Sequence, residues 1–154
     1  PTSSAVDVVG YSMGGLVARV WAADLGGASV ARRIVTVGTP NHGTQAAALA
    51  SLAGACPTAC QQMQPDSELL RRLDTGEPTP DGPAWITMWS ADDETIRPPE
   101  STELEGASNV QLQRACPGLV VDHSGLVRDP EPLAVLTRAV GSEPWTTPDG
   151  CLSR

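Results

Sequence analysis

Residues 10–14 read Gly10-Tyr11-Ser12-Met13-Gly14 and follow the apolar run Ala5-Val6-Asp7-Val8-Val9. This is the Gly-x-Ser-x-Gly pattern of a serine held on a sharp turn between a strand and a helix. The run before it is short and β-branched, as a buried parallel strand should be. Behind it, Met13, Leu16, Val17, Val20 and Trp21 recur at helical spacing, which predicts a helix with that stripe on its buried face. Gly10 and Gly14 carry no Cβ, so neighbouring backbone is expected to approach the turn there. A glycine-rich turn ahead of a core helix would share these residues, but strand, turn and helix in this order favour a reactive serine.

The rest of the chain alternates in the same way. Strands are expected at 5–10, 32–38, 84–89 and 109–113, and helices at 14–25, from Thr44 to about Ala53, and at 68–73 behind the capping pair Asp66-Ser67. Residues 75–83 hold three prolines and two glycines and read as an exposed connection. Asp129 is expected to cap a last helix with Pro130 at its first position and Gly141 just past its end. Strand–helix alternation of this kind predicts an α/β fold with a mostly parallel sheet flanked by helices. No internal repeat or inter-domain linker is visible, so residues 1–141 are read as one unit with an irregular tail at 142–154.

In such sheets, sites form at the C-terminal ends of the strands. Ser12, His42, Asp93 and His123 are each expected just after a strand. A serine hydroxyl needs a base to take its proton, and the base needs a carboxylate to orient it. Serine elbows of this type run nucleophile, acid, histidine along the chain. Of the two histidines only His123 fits that order, in a loop that Gly125 is expected to leave mobile, whereas His42 reads as a structural or second-shell residue steadying the site. The acid is Asp92 or Asp93; adjacent side chains point apart in an extended loop, so one faces His123, with Asp93 taken and Asp92 kept as the alternative. Asp122 is too close in sequence to reach the far ring nitrogen.

Composition narrows the partners. The net charge is −8, with ten arginines and no lysine among 154 residues, which disfavours nucleic acid and anionic membrane surfaces. Four cysteines permit two bridges. Cys56 and Cys60 would close a tight local loop, and elimination leaves Cys116 with Cys151. Neither histidine has finger-like spacing from the cysteines, so no metal is expected. Disulfides point to an oxidising compartment, and no signal peptide or membrane-spanning run is visible, so an export signal would lie upstream of Pro1.

Three ordered motifs, Val8-Val9-Gly10-Tyr11-Ser12-Met13-Gly14-Gly15-Leu16, Val37-Gly38-Thr39-Pro40-Asn41-His42-Gly43-Thr44 and Asp122-His123-Ser124-Gly125-Leu126, resemble the secreted triacylglycerol lipases of the α/β-hydrolase fold, actinobacterial type. Residues 56–73 also resemble the cysteine loop and following helix of that family, and the similarity spans about residues 5–140. The resemblance implies Ser12 as nucleophile, His123 as general base and the Met13 N–H as an oxyanion donor. The family's acid precedes a pattern like Glu94-Thr95-Ile96-Arg97-Pro98, which selects Asp93. Family members place a cysteine just before the acid, bridged to the one matching Cys116; here Asp92 stands there, so Cys116 pairs elsewhere, with Cys151, or stays free. The family fold also has strands ahead of the elbow strand that this chain lacks, including the loop of the second oxyanion donor. The chain is therefore expected to be the C-terminal part of a larger lipase domain, its elbow strand left with an apolar edge.

The expected reaction is cleavage of carboxylic esters of lipids through an acyl-enzyme on Ser12, with no cofactor. The alternatives are an inactive fragment of such a lipase and an acyltransferase with the same triad. The expected partner is a lipid or small ester substrate, with no nucleic acid, no stable membrane insertion and no protein partner. Secretion is expected from the cysteines and the resemblance.

Overall fold

Parallel strands need a crossover between them, and a helix supplies it. The computed structural model, which describes residues 5–153, has strands β1 (Val6–Tyr11), β2 (Ala31–Val37), β3 (Ala84–Trp89) and β4 (Ser108–Gln111). They pair in sequence order, all parallel, with Val8 beside Ile34, Ile34 beside Trp85 and Met88 beside Val110. The helices are α1 (Met13–Asp24), α2 (Gln45–Leu52), α3 (Thr58–Gln61), α4 (Glu68–Thr75), α5 (Leu112–Ala115) and α6 (Pro130–Ala139). This is a partial α/β fold, a parallel sheet flanked by helices.

Successive side chains of a strand face opposite sides of the sheet. Ile34 and Trp85 therefore pack with Ala18 and Ala22 of α1 on one face. Val35, Val37, Ile86 and Met88 pack with Val135 and Ala139 of α6 on the other. Both faces of β2 and β3 are covered, which is why these strands read as continuous apolar runs.

The buried face of α1 differs from the expected one. Leu16 is buried, but Met13 and Val17 are 43% and 61% exposed, and the inward residues are Gly15, Leu16, Ala18, Arg19 and Ala22. The buried face thus runs through Gly15, Ala18 and Ala22 with Leu16 and Arg19, and not through the bulky apolar stripe. The fourth strand also ends at Gln111 rather than residue 113. Leu112 and Ala115 are both buried, a helical spacing of three that the local polar–apolar alternation conceals. The outer edge of β1 has no partner strand among the described residues, and Val6 and Val9 are each 47% exposed.

Asp129 occupies the N-cap position of α6 but makes no capping bond with its side chain. The far end of that helix is held by Arg33, whose guanidinium donates to the carbonyls of Ala139 (2.8 Å), Gly141 (2.7 Å) and Glu143 (2.6 Å). Residues beyond α6 are irregular yet fastened. The buried Glu131 carboxylate accepts from the amides of Leu152 (2.7 Å) and Ser153 (2.8 Å), and Trp145 Nε1 donates to Ser108 Oγ at 2.9 Å. Disulfides join Cys56 to Cys60 and Cys116 to Cys151.

The second disulfide closes a loop of 35 residues, and chain entropy alone assigns it about 4 kcal/mol. The paired change Cys116→Ser/Cys151→Ser should therefore lower unfolding free energy by about 2–4 kcal/mol, read as an earlier midpoint in urea.

Candidate active site

The β1–β2 ladder carries the chain to Tyr11, and the Ser12 amide adds one more bond, to the Val37 carbonyl at 2.8 Å. Ser12 then takes φ 52° and ψ −127°, a conformation costing about 1–3 kcal/mol for a residue with a Cβ. The Gly15 amide bonds back to the Ser12 carbonyl at 3.0 Å, closing the turn. Two glycines make the turn possible. A Cβ on Gly10 would stand 2.6 Å from the Gly14 carbonyl oxygen, and one on Gly15 would stand 2.0 Å from Thr39 Oγ1. Gly14 was expected to share this role and does not: open space surrounds the place its Cβ would take. Met13 is the first residue of α1, a position whose amide has no partner within the helix.

Asp93 follows β3 and is 1% exposed. Its Oδ1 accepts from the amides of Thr95 (2.8 Å) and Ile96 (2.9 Å), which fixes the carboxylate and offsets its burial. Its Oδ2 lies 2.7 Å from His123 Nδ1, and His123 Nε2 lies 3.1 Å from Ser12 Oγ. The structure thus brings Ser12, His123 and Asp93 into one hydrogen-bonded row. A carboxylate can only accept, so Nδ1 donates to Asp93; in a neutral imidazole Nε2 then carries no proton and can accept from the Ser12 hydroxyl. Asp92 points elsewhere, its Oδ2 accepting from Gln113 Nε2 at 3.0 Å and the Val121 amide at 3.3 Å.

His123 was expected directly behind a strand; it follows α5 and an irregular stretch instead. The loop is also not loosened by Gly125, which is buried. The Gly125 amide donates to Asp122 Oδ1 at 2.7 Å, and that bond, with one from Ser124 Oγ at 3.0 Å, lowers the Asp122 pKa. Two residues missed in the sequence shape the imidazole's place. The Tyr11 hydroxyl donates to the His123 carbonyl at 3.1 Å, and the two rings lie 4.9 Å apart. Gly38, with φ 52°, leaves room where a Cβ would come within 3.2 Å of His123 Cε1 and Nδ1. The only sequence signal for either was position, inside the serine pentapeptide and at the end of β2.

His42 sits behind β2 but apart from this row. It is half exposed, its Nδ1 lies 3.2 Å from Asp74 Oδ2, and its amide donates to the Ser101 carbonyl. Asp74 also accepts from Arg19 at 2.9 Å. Arg19 is 1% exposed and donates to the Asn41 carbonyl at 3.0 Å, tying α1 to the turn that carries His42. Burial lowers its pKa, and the bond to Asp74 works against that shift. Beside Met13, the exposed face of α1 forms an open apolar cleft of about 430 Å³ with Met63 and Leu69.

Tyr11 is the chain's one tyrosine. Burial, and then the nearby Asp93 charge, raise its pKa above 10.0. Its phenolate absorbance should therefore appear with a midpoint above that of free tyrosine. The folded state holds this proton more tightly, so the contribution to stability is intact below pH 10 and falls as pH rises through the raised value. A midpoint at or below the free value would contradict this placement.

Residues 2–117 match the family described as "Lipase (class 2)". The fold is shared with Aspergillus fumigatus lipase B at 24% identity and a TM-score of 0.73, over 89% of this chain and 37% of that one. It is shared with Bacillus licheniformis lipase BlEst2 in its propeptide form at 19% identity and a TM-score of 0.64, over 94% of this chain and 38% of that one. The mature form of BlEst2 gives 18% identity and a TM-score of 0.58, over 70% of this chain and 56% of that one. A comparison with curated proteins returned no match. The chain thus spans 37–56% of the length of these solved lipases. With a family match across most of its length and a lipase-like sheet beneath the Ser12 turn, the chain belongs to the class 2 lipases.

Proposed function

We propose that this chain carries the acyl-transfer site of a carboxylic-ester hydrolase acting on lipid or small esters. The observation that supports the reading most is the row from Asp93 Oδ2 to His123 Nδ1, 2.7 Å, and from His123 Nε2 to Ser12 Oγ, 3.1 Å. Ser12 Oγ attacks the ester carbonyl while His123 Nε2 takes its proton. Asp93 holds the imidazole in the tautomer that leaves Nε2 bare and stabilises the imidazolium that forms. The Met13 amide, at a helix N-terminus, donates to the oxyanion. His123 returns the proton to the leaving alcohol, and water activated by the same imidazole then cleaves the acyl-enzyme.

The apolar cleft beside Met13 offers a surface of the right chemistry for an acyl chain. No step of this scheme calls for a cofactor or metal. The disulfides favour an oxidising, extracellular setting, and no described helix is long and apolar enough to cross a membrane. His42, through Asp74 and Arg19, serves to hold the loop behind β2 rather than to move protons.

Covalent labelling by a fluorophosphonate should be lost on Ser12→Ala, whereas labelling that persists would refute Ser12 as the nucleophile. Asp93→Asn should lower turnover of a p-nitrophenyl ester by roughly 10⁴-fold, because the amide favours the wrong tautomer. Native turnover in Asp93→Asn would remove Asp93 from the mechanism.

A further inference from the structure

We propose that Asp92 is a positioning residue, part of a polar brace with Ser90 and Gln113 that sets His123 against Asp93. The proposal rests on the acyl-transfer reading above. The brace lies between the segment carrying the acid and the segment carrying the base. Ser90 Oγ, fully buried, donates to the Val121 carbonyl at 2.6 Å. Asp92 Oδ2 accepts from the Val121 amide at 3.3 Å, so both polar backbone groups of Val121 are held by residues 90–92. Gln113 closes the brace. Its Nε2 lies 2.8 Å from Ser90 Oγ and 3.0 Å from Asp92 Oδ2, and its Oε1 accepts from the Ala91 amide at 3.0 Å.

One residue past Asp92 is the acid, and two residues past Val121 is the imidazole. Fixing Val121 on residues 90–92 therefore fixes the approach of Nδ1 to Asp93. A misplacement of about 1 Å in such a group can cost on the order of 10²-fold in rate. Asp92 receives both of its side-chain contacts on one oxygen, Oδ2. An amide carbonyl in the same place would accept both, so the brace needs the oxygen and not the charge. A proton-transfer role for Asp92 would need the charge.

The test uses the full chain with Asp92→Ala, Asp92→Asn, Gln113→Ala, Asp93→Asn and Ser12→Ala. Hydrolysis of p-nitrophenyl acetate and the downfield proton resonance of His123 Nδ1–H, assigned by its loss in Asp93→Asn, are measured on each. Asp92→Ala and Gln113→Ala should lower kcat about 10- to 100-fold with KM nearly unchanged, and should weaken or broaden the Nδ1–H signal. Asp92→Asn should keep both the rate and the signal near native. Native rate and signal in both alanine variants would overturn the brace. A loss in Asp92→Asn as deep as in Asp93→Asn would overturn it too, by making Asp92 charge essential. Fluorophosphonate labelling that survives Ser12→Ala would sink the acyl-transfer reading instead, and the Nδ1–H signal would still judge the brace. Gln113→Ala carries the test if Asp92→Ala fails to fold.

Discussion

The bond from the Ser12 amide to the Val37 carbonyl is the last rung between β1 and β2, and the candidate site is built outward from it. It holds the backbone in sheet pairing up to the residue where the chain must reverse. The reversal then falls on Ser12 itself, at positive φ, with its hydroxyl 3.1 Å from His123 Nε2. Gly10 and Gly15 are the companions of that rung, since a Cβ at either would strike backbone or Thr39. The strain at Ser12 persists because strand pairing on one side and close helix packing on the other leave the turn no relaxed alternative.

Groups far apart in sequence meet at this edge, and each is held differently. Ser12 is held by backbone strain. Asp93 is held by two amides of its own loop, which also offset the cost of burying it. His123 is held from outside its loop, by the Tyr11 hydroxyl on its carbonyl and by Asp93 on its ring. Gly38 leaves the space the ring occupies.

Arginine does much of the joining elsewhere. Arg33 reaches three carbonyls past the end of α6, Arg32 pairs with Asp7 and the Gly141 carbonyl, and Arg19 links α1 to the turn after β2. Each presents a planar fork of N–H donors that reaches acceptors on more than one residue at once. A chain with ten arginines and no lysine can thus tie helix ends and loops to its sheet despite a net charge of −8.

The alternating α/β plan, the serine turn after β1 and the narrow choice of partners for it could be read from the residues alone, because they rest on local periodicity, glycine placement and a chain with two histidines. β3 was legible to the residue, since Ala84–Trp89 is an apolar run buried on both faces. The inward face of α1 was not legible: hydrophobicity ranks Met13 and Val17 above Gly15 and Ala18, yet the packed helix buries Gly15 and Ala18 and exposes Met13 and Val17. The end of β4 escaped for a similar reason, as Leu112 serves the alternation of a strand and the turn of a helix equally well. Tertiary packing set Asp93 beside His123, the acid that the family resemblance had singled out, and it alone placed Tyr11 and Gly38 around the imidazole and sent His42 to Asp74. Those outcomes depend on how loops separated by tens of residues pack at one sheet edge, and no local pattern encodes that packing.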